Sequence, residues 1–125
     1  MIDFQNASFL KLRQVDPAPF VPTIAPMFID GESIIGCYQS IRDYVVFTTM
    51  RIISVNVQGI TGKKKDFTSM PYSKIQVYSV ESAGVLDLDA ELELWFSGLG
   101  KVKFEFTSQT NISAICKMIS ERVLK

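Results

Sequence analysis

The strongest constraint in this chain is a strict two-residue alternation near its C-terminal end. Leu88, Ala90, Leu92, Leu94 and Phe96 fall on one side, and Asp87, Asp89, Glu91, Glu93 and Trp95 on the other. After Ser97-Gly98-Leu99-Gly100 the alternation resumes, with Val102, Phe104 and Phe106 opposed to Lys101, Lys103 and Glu105. A period of two is the signature of half-buried antiparallel strands. Register follows from the same pattern. Pairing Phe96 directly with Lys101 would set an inward residue against an outward one, which a buried face forbids. An odd-length loop from Phe96 to Gly100 repairs this. It sets Leu92 opposite Phe104, Glu93 opposite Lys103, and Glu91 opposite Glu105, the last a modest like-charge penalty in water.

Other segments carry the same strand chemistry. Ile34–Tyr38, Tyr44–Thr48, Arg51–Val57, a run starting over Asp66–Ser69, and Ile75–Val80 are rich in β-branched and aromatic residues and end at turn residues. Pro71-Tyr72-Ser73-Lys74 reads as a helical turn. Ile112, Ile115, Cys116, Ile119 and Val123 recur at spacings of three and four, which predicts an amphipathic terminal helix capped by Thr110 or Ser108. At the other end, residues 1–14 can form a short amphipathic helix with Ile2, Phe9, Leu10 and Leu12 on overlapping faces. Pro17, Pro19, Pro22 and Pro26 forbid one continuous helix over 16–30 and leave isolated helical turns that pack Phe20, Ile24, Met27 and Phe28. The division expected is an N-terminal helical and proline-rich segment over residues 1–30, packed on a mainly β domain over 31–125.

A chain of 125 residues is one domain and can bury a core without staples. Lys plus Arg and Asp plus Glu number 13 each, so the formal charge is zero. A nucleic-acid binder carries a basic excess, and none is present. Zero net charge and a mean hydropathy of +0.19 make self-association plausible. The sequence has no histidine, no C-x-x-C and two distant cysteines, Cys37 and Cys116, which disfavours a zinc site and suits a reducing cytoplasm. No metal or other cofactor is expected. The first twelve residues lack a secretory apolar core, and the longest uncharged stretch, 17–29, is too short and too proline-rich to span a bilayer.

Phe47-Thr48-Thr49-Met50-Arg51-Ile52-Ile53 resembles the T-x-x-R hairpin motif of bacterial pleckstrin-homology-like domains. Ile29-Asp30-Gly31-Glu32, Gly59-Ile60-Thr61-Gly62-Lys63-Lys64, and the acidic alternation from Asp87 to Trp95 resemble the same family, over a span from Asp16 to Leu124. The resemblance implies a mainly β, α+β fold: a seven-stranded antiparallel, partly open barrel of two sheets capped by a C-terminal helix. It also implies a non-enzymatic module that self-associates into a cyclic homo-oligomer, such as a pentamer, and presents a polar surface to a protein partner.

Several residue groups are candidate contacts. Lys63, Lys64 and Lys65 form a basic run that suits an anionic partner such as a phosphate, lipid headgroup or acidic protein, and suits better a solvated loop guarding a sheet edge. Arg42 sits in the first hairpin loop beside Asp43, which largely cancels its charge. Arg51 either meets a partner or satisfies turn carbonyls or Asp43. Trp95, with Glu91, Glu93, Lys101 and Lys103, lies on the outward face. An outward tryptophan anchors an interface or is covered, here by Phe20 or Phe28. Asp87, Asp89, Glu91 and Glu93 neither follow a calcium-loop pattern nor converge on one ion when extended. No acid–base pair, nucleophile–base pair or phosphate loop is present, so no enzyme activity is expected.

Overall fold

A computed structural model describes residues 9–81, 90–107 and 110–125 of the chain. Asp87, Leu88, Asp89, Ser108 and the first part of the expected N-terminal helix, residues 1–8, lie outside the described residues. The strands are β1 (Phe9–Val15), β2 (Ile34–Ser40), β3 (Asp43–Thr48), β4 (Arg51–Gln58), β5 (Lys64–Pro71), β6 (Ile75–Glu81), β7 (Ala90–Phe96) and β8 (Gly100–Phe106). A four-residue helix, α1 (Val21–Ile24), and a terminal helix, α2 (Ile112–Val123), complete the order, with short 3-10 turns beside α1 and at Tyr72–Lys74.

The β7–β8 hairpin has the register that the alternation demands. Leu92 faces Phe104, Glu93 faces Lys103, Glu91 faces Glu105, and Phe96 pairs with Gly100 across a three-residue loop. Gly98 and Gly100 adopt φ of 85° and 94°, which a side chain would strain. Ala90, Leu92, Leu94 and Phe96 are buried, and the residues between them are only partly so.

The strands join in the order β5-β4-β3-β2-β1-β8-β7-β6. This corrects the N-terminal expectation. Residues 9–15 are a strand, not part of a helix, and β1 sits in the interior of the sheet. It pairs antiparallel with β2, Val15 opposite Cys37, and parallel with β8, Phe9 opposite Phe104 and Leu12 opposite Phe106. The register shifts between Phe9 and Leu12, where Lys11 takes φ of 59°. Few apolar residues separate a helical from a strand pattern in so short a segment. Here the deciding partner is β8, at the far end of the sequence. So among the described residues there are eight strands rather than seven, one neighbour pair is parallel, and β1 links the two expected sheets into one. The expected segment over residues 1–30 therefore combines two unlike pieces: β1 belongs to the sheet, and residues 17–28 lie upon it.

The two halves of the sheet are covered differently. On β3 and β4 every residue from Tyr44 to Thr48 and from Ile52 to Val55 is buried. Val45, Phe47 and Ile52 face the main core, which also holds Leu12, Leu92, Leu94, Phe104 and Phe106. The phenyl rings there meet edge to face, Phe47 to Phe106 with centroids 6.4 Å apart and Tyr38 to Phe106 at 5.2 Å. Helix α2 closes this core with Ile115 and Ile119. Its N-cap is Asn111, whose side chain accepts from the Ala114 N–H at 3.1 Å, rather than Thr110 one position earlier.

Tyr44, Val46, Ile53 and Val55 face the other way and form a second cluster with Ile24 and Cys37. Here the proline-rich segment is the cover. Three helical turns follow one another (Ala18–Phe20, α1, and Ala25–Met27), each with a proline inside its first two positions, where no intrahelical N–H is needed. The Asp16 carboxylate accepts from the Ala18 N–H and starts the run. Phe20 lies over Tyr44 at 4.3 Å, and Ile24 has no exposed surface. Burial on both faces is why β3 and β4 show no alternation.

Ile24 therefore tests this cover. Ile24→Ala is expected to lower stability by about 3 kcal/mol, through lost burial and the cavity left behind. The urea midpoint should fall with an unchanged slope. A midpoint equal to that of the wild type would mean that the proline-rich segment does not pack on the sheet.

Candidate functional site

The T-x-x-R residues build a clamp, with Glu32 at its centre. Arg51 Nε donates to Glu32 Oε2 at 2.9 Å, and Nη2 donates to Glu32 Oε1 at 3.1 Å and to the Met27 carbonyl at 2.7 Å. Nη1 donates to Ser69 Oγ at 2.9 Å. Thr48 Oγ1 accepts from the Met50 and Arg51 N–H groups and lies 2.6 Å from Glu32 Oε2. Tyr72 Oη donates to the Thr48 carbonyl at 2.8 Å. One guanidinium thus joins the end of the proline-rich cover, the turn before β2, the β3–β4 turn and β5. The turn-carbonyl expectation for Arg51 is met at Met27. Its acidic partner is Glu32 and not Asp43, because Asp43 accepts from the Val57 N–H and the Asn56 amide instead. Sequence reasoning singled out Ile29-Asp30-Gly31-Glu32 as a motif but did not connect it to Arg51, 19 positions away.

The Glu32 side chain is fully buried and that of Arg51 is 19% exposed. Burial is the largest influence on the Glu32 carboxyl and pushes its pKa up. The hydrogen bonds from Arg51, Thr48 and the Ile29 N–H, with the Arg51 charge, outweigh it and hold the group below the ordinary carboxylate value.

The cations expected to meet an anion do not converge. Arg42 donates from Nη1 to the Gly59 carbonyl at 2.7 Å and from Nη2 to the Val57 carbonyl at 3.1 Å, which ties the β2–β3 turn to the β4–β5 loop. Lys64 and Lys65 are successive residues of β5 and point to opposite faces. Lys65 Nζ donates to the Gly62 carbonyl at 3.1 Å. Lys63 and Lys64 remain exposed.

The outward face of β6–β7–β8 carries the second group. Lys103 Nζ lies 3.2 Å from Glu91 and 3.8 Å from Glu105, so it bridges the two acids that the register sets opposite each other. The Glu91 hydrogen bond is the main cause of a Lys103 pKa above the ordinary value. Lys101 reaches Glu93 at 3.5 Å. Trp95 is half-buried, in register between Val77 and Lys101. The expected cover does not reach it: Phe20 and Phe28 pack on the β2–β4 cluster, on another part of the sheet.

A cleft of about 420 Å³ lies where the end of β5 and the Tyr72–Lys74 turn meet the β7–β8 loop. Thr68, Met70, Lys74, Gln76, Phe96 and Leu99 are among its lining residues. It draws on two separated stretches, 68–76 and 96–99, which no local motif announces. Among the described residues, no group of three or more His, Cys, Asp or Glu is placed to hold a metal ion. The Cys37 thiol is buried, and that burial pushes its pKa up to about 11. Among the described residues no helix is long and apolar enough to cross a membrane.

Comparison with known proteins agrees with this geometry. The profile described as "Bacterial PH domain" matches residues 3–123. The chain is 42% identical over 117 residues to the Bacillus subtilis (strain 168) uncharacterised protein YjqA, covering 92% of this chain and 90% of that one. It is similar to the crystal structure of a pleckstrin-homology-domain protein from Shewanella loihica PV-4, with a TM-score of 0.78 and 36% identity over 90% of this chain and 97% of the other. A pleckstrin homology domain from Shewanella amazonensis SB2B gives a TM-score of 0.67 and 37% identity, over 96% and 94%.

The clamp makes a pH-dependent prediction. Because the folded Glu32 pKa is depressed, its stabilisation is fully present above the unfolded carboxylate value of about 4.3 and is lost as pH falls through the folded value. Glu32→Gln is expected to cost about 3 kcal/mol at pH 7. The gap between wild-type and variant urea midpoints should narrow only below about pH 4. A constant gap from neutral to acid pH would rule out the ionised pair as its source.

Proposed function

The chain belongs to the bacterial PH domain family, and from that premise we propose that it is a non-catalytic binding module whose copies associate through sheet edges into a closed ring. One observation carries this reading. Among the described residues the outermost strands, β5 and β6, each pair on one side only. Both also carry an exposed apolar side chain, Phe67 at 37% on β5 and Val77 at 56% on β6. An unpaired strand edge is a template for another strand. Two different edges on one subunit support a head-to-tail contact, which gives a ring when the rotation closes. In such a ring the outward face around Trp95, with Glu91, Glu93, Lys101 and Lys103, is the surface for a protein partner. Its aromatic centre and charged surround have the composition of a recognition patch.

The alternative reading, anionic-headgroup binding through Lys63–Lys65, has less support. Lys64 and Lys65 diverge across β5, and Arg42, which reaches the same loop, already donates to two carbonyls.

Native mass tests the ring. Light scattering after size exclusion should give a defined multiple of 14.0 kDa that is the same in low and high salt, since paired backbone and apolar contacts are weakly screened. Val77→Lys and Phe67→Lys, each placing a charge on an edge, should each reduce the particle to a monomer. A wild-type monomer at micromolar concentration would remove the assembly reading.

A further inference from the structure

The cleft between the end of β5, the Tyr72–Lys74 turn and the β7–β8 loop has a floor made of core. Met70, Ile75 and Phe96 are buried members of the main cluster, and Leu99 packs against that cluster. Its walls are pinned from behind. Arg51 Nη1 donates to Ser69 Oγ at 2.9 Å, and Tyr72 Oη, at the base of the turn, donates to the Thr48 carbonyl at 2.8 Å. Thr68 Oγ1 is engaged as well, donating to Asp66 Oδ1 at 3.2 Å. The cleft is therefore preformed. Its volume of about 420 Å³ falls inside the ordinary range of small-molecule sites.

Two features of the rim go beyond an apolar hollow. The first is charge. Lys74 is the single charged residue of the lining, and among the described residues no carboxylate pairs with it. A cation beside an apolar floor, with no acid in the lining, favours an anion. The second is a bulge. Ile75 pairs with Phe96 and Val77 with Trp95, so Gln76 is an extra residue of β6 with no partner on β7. It is exposed and lines the cleft. Bulges recur beside functional sites because they re-aim one side chain and give up ladder pairing to do so. Here the unmatched residue is a neutral amide donor, two positions from Lys74.

We infer that this cleft binds a small free carboxylic acid with an apolar body, such as a medium-length alkanoate. The chain lies on Met70, Ile75, Phe96 and Leu99, and the carboxylate sits at the rim with Lys74 and Gln76. A peptide strand is the poorer fit. The lining takes in β5 only from Thr68 onward and β6 only as far as Gln76, so an extended chain running along either edge would leave the cleft at once. For the same reason the cleft stops short of Phe67 and Val77, and the inference does not rest on the assembly reading.

The test is calorimetric titration of the full chain with butanoate, hexanoate, octanoate and octylammonium at neutral pH and low salt. Octanoate should bind about tenfold more tightly than octylammonium, because the same rim charge attracts one and repels the other. Affinity should rise by up to about fourfold per added methylene. Lys74→Met should bring the two octyl ligands to within about twofold of each other, and Lys74→Glu should reverse their order. Lys74 is exposed, so both variants should keep the wild-type urea midpoint. On adding octanoate, the methyl NMR signals of Met70, Ile75 and Leu99 should shift. The native mass should be the same with and without octanoate, whatever that mass is. Any of five results would overturn the inference: a wild type that takes up no octanoate at millimolar concentration; octanoate and octylammonium bound alike by the wild type; Lys74→Glu that keeps the wild-type order; shifts confined to other methyls; or a native mass altered by octanoate, which would place the acid on a strand edge.

Discussion

β1 lies between β2 and β8, and the organisation of this domain depends on that placement. Without it the β2–β5 half and the β6–β8 half of the sheet would each end in an unpaired strand, facing each other across a gap. β1 satisfies both, antiparallel to one and parallel to the other, and sends Leu12 into the core beside Phe104 and Phe106. Backbone groups at a buried strand edge must find partners. The sheet therefore runs continuously from β5 to β6 and keeps its two edges only at its ends.

The Arg51 clamp depends on this frame and adds a second layer to it. A sheet buried on both faces needs cover on both, and α2 can cover only one. The proline-rich turns cover the other and gain little from local helix formation, since each is a single turn. They are held by burial of Ile24 and Phe20 at one end and by the Met27 carbonyl on Arg51 at the other. A buried guanidinium–carboxylate pair is costly to assemble and costlier to break, so it fixes one arrangement of the segments that meet there. Glu32, Thr48, Ser69 and Tyr72 come from four parts of the chain, and one hydrogen-bonded network around Arg51 joins them.

Legibility in the sequence followed the range of the interaction. The β7–β8 hairpin was readable down to its register, because alternation and loop parity are local and one face is solvated. The α2 stripe was readable for the same reason, although the cap lay one residue beyond the positions chosen. Strands β3 and β4 were found by composition, since burial on both faces erases their alternation. The placement of β1 was not readable: its partner is near the other end of the chain, and a seven-residue segment with few apolar positions fits a helix as well as a strand. The candidate contacts divide in the same way. Lys63–Lys65 looked like one patch only while they were letters in a row, and strand pleating separated Lys64 from Lys65. Arg51 was recognised through its motif, but Glu32 could be matched to it only in three dimensions.

The parallel contact between β1 and β8 also has a consequence for how the chain comes to be folded. During synthesis residues 9–15 emerge well before Phe104 and Phe106. Until then β1 has only the short β2 ladder to hold it, and the nascent chain has an open seam. Loop closure between segments so distant is slow relative to local hairpin formation. The β2–β5 hairpins can therefore form on the ribosome while the seam waits for its last strand. In that interval the β1 edge that β8 will cover is open to pairing with another chain.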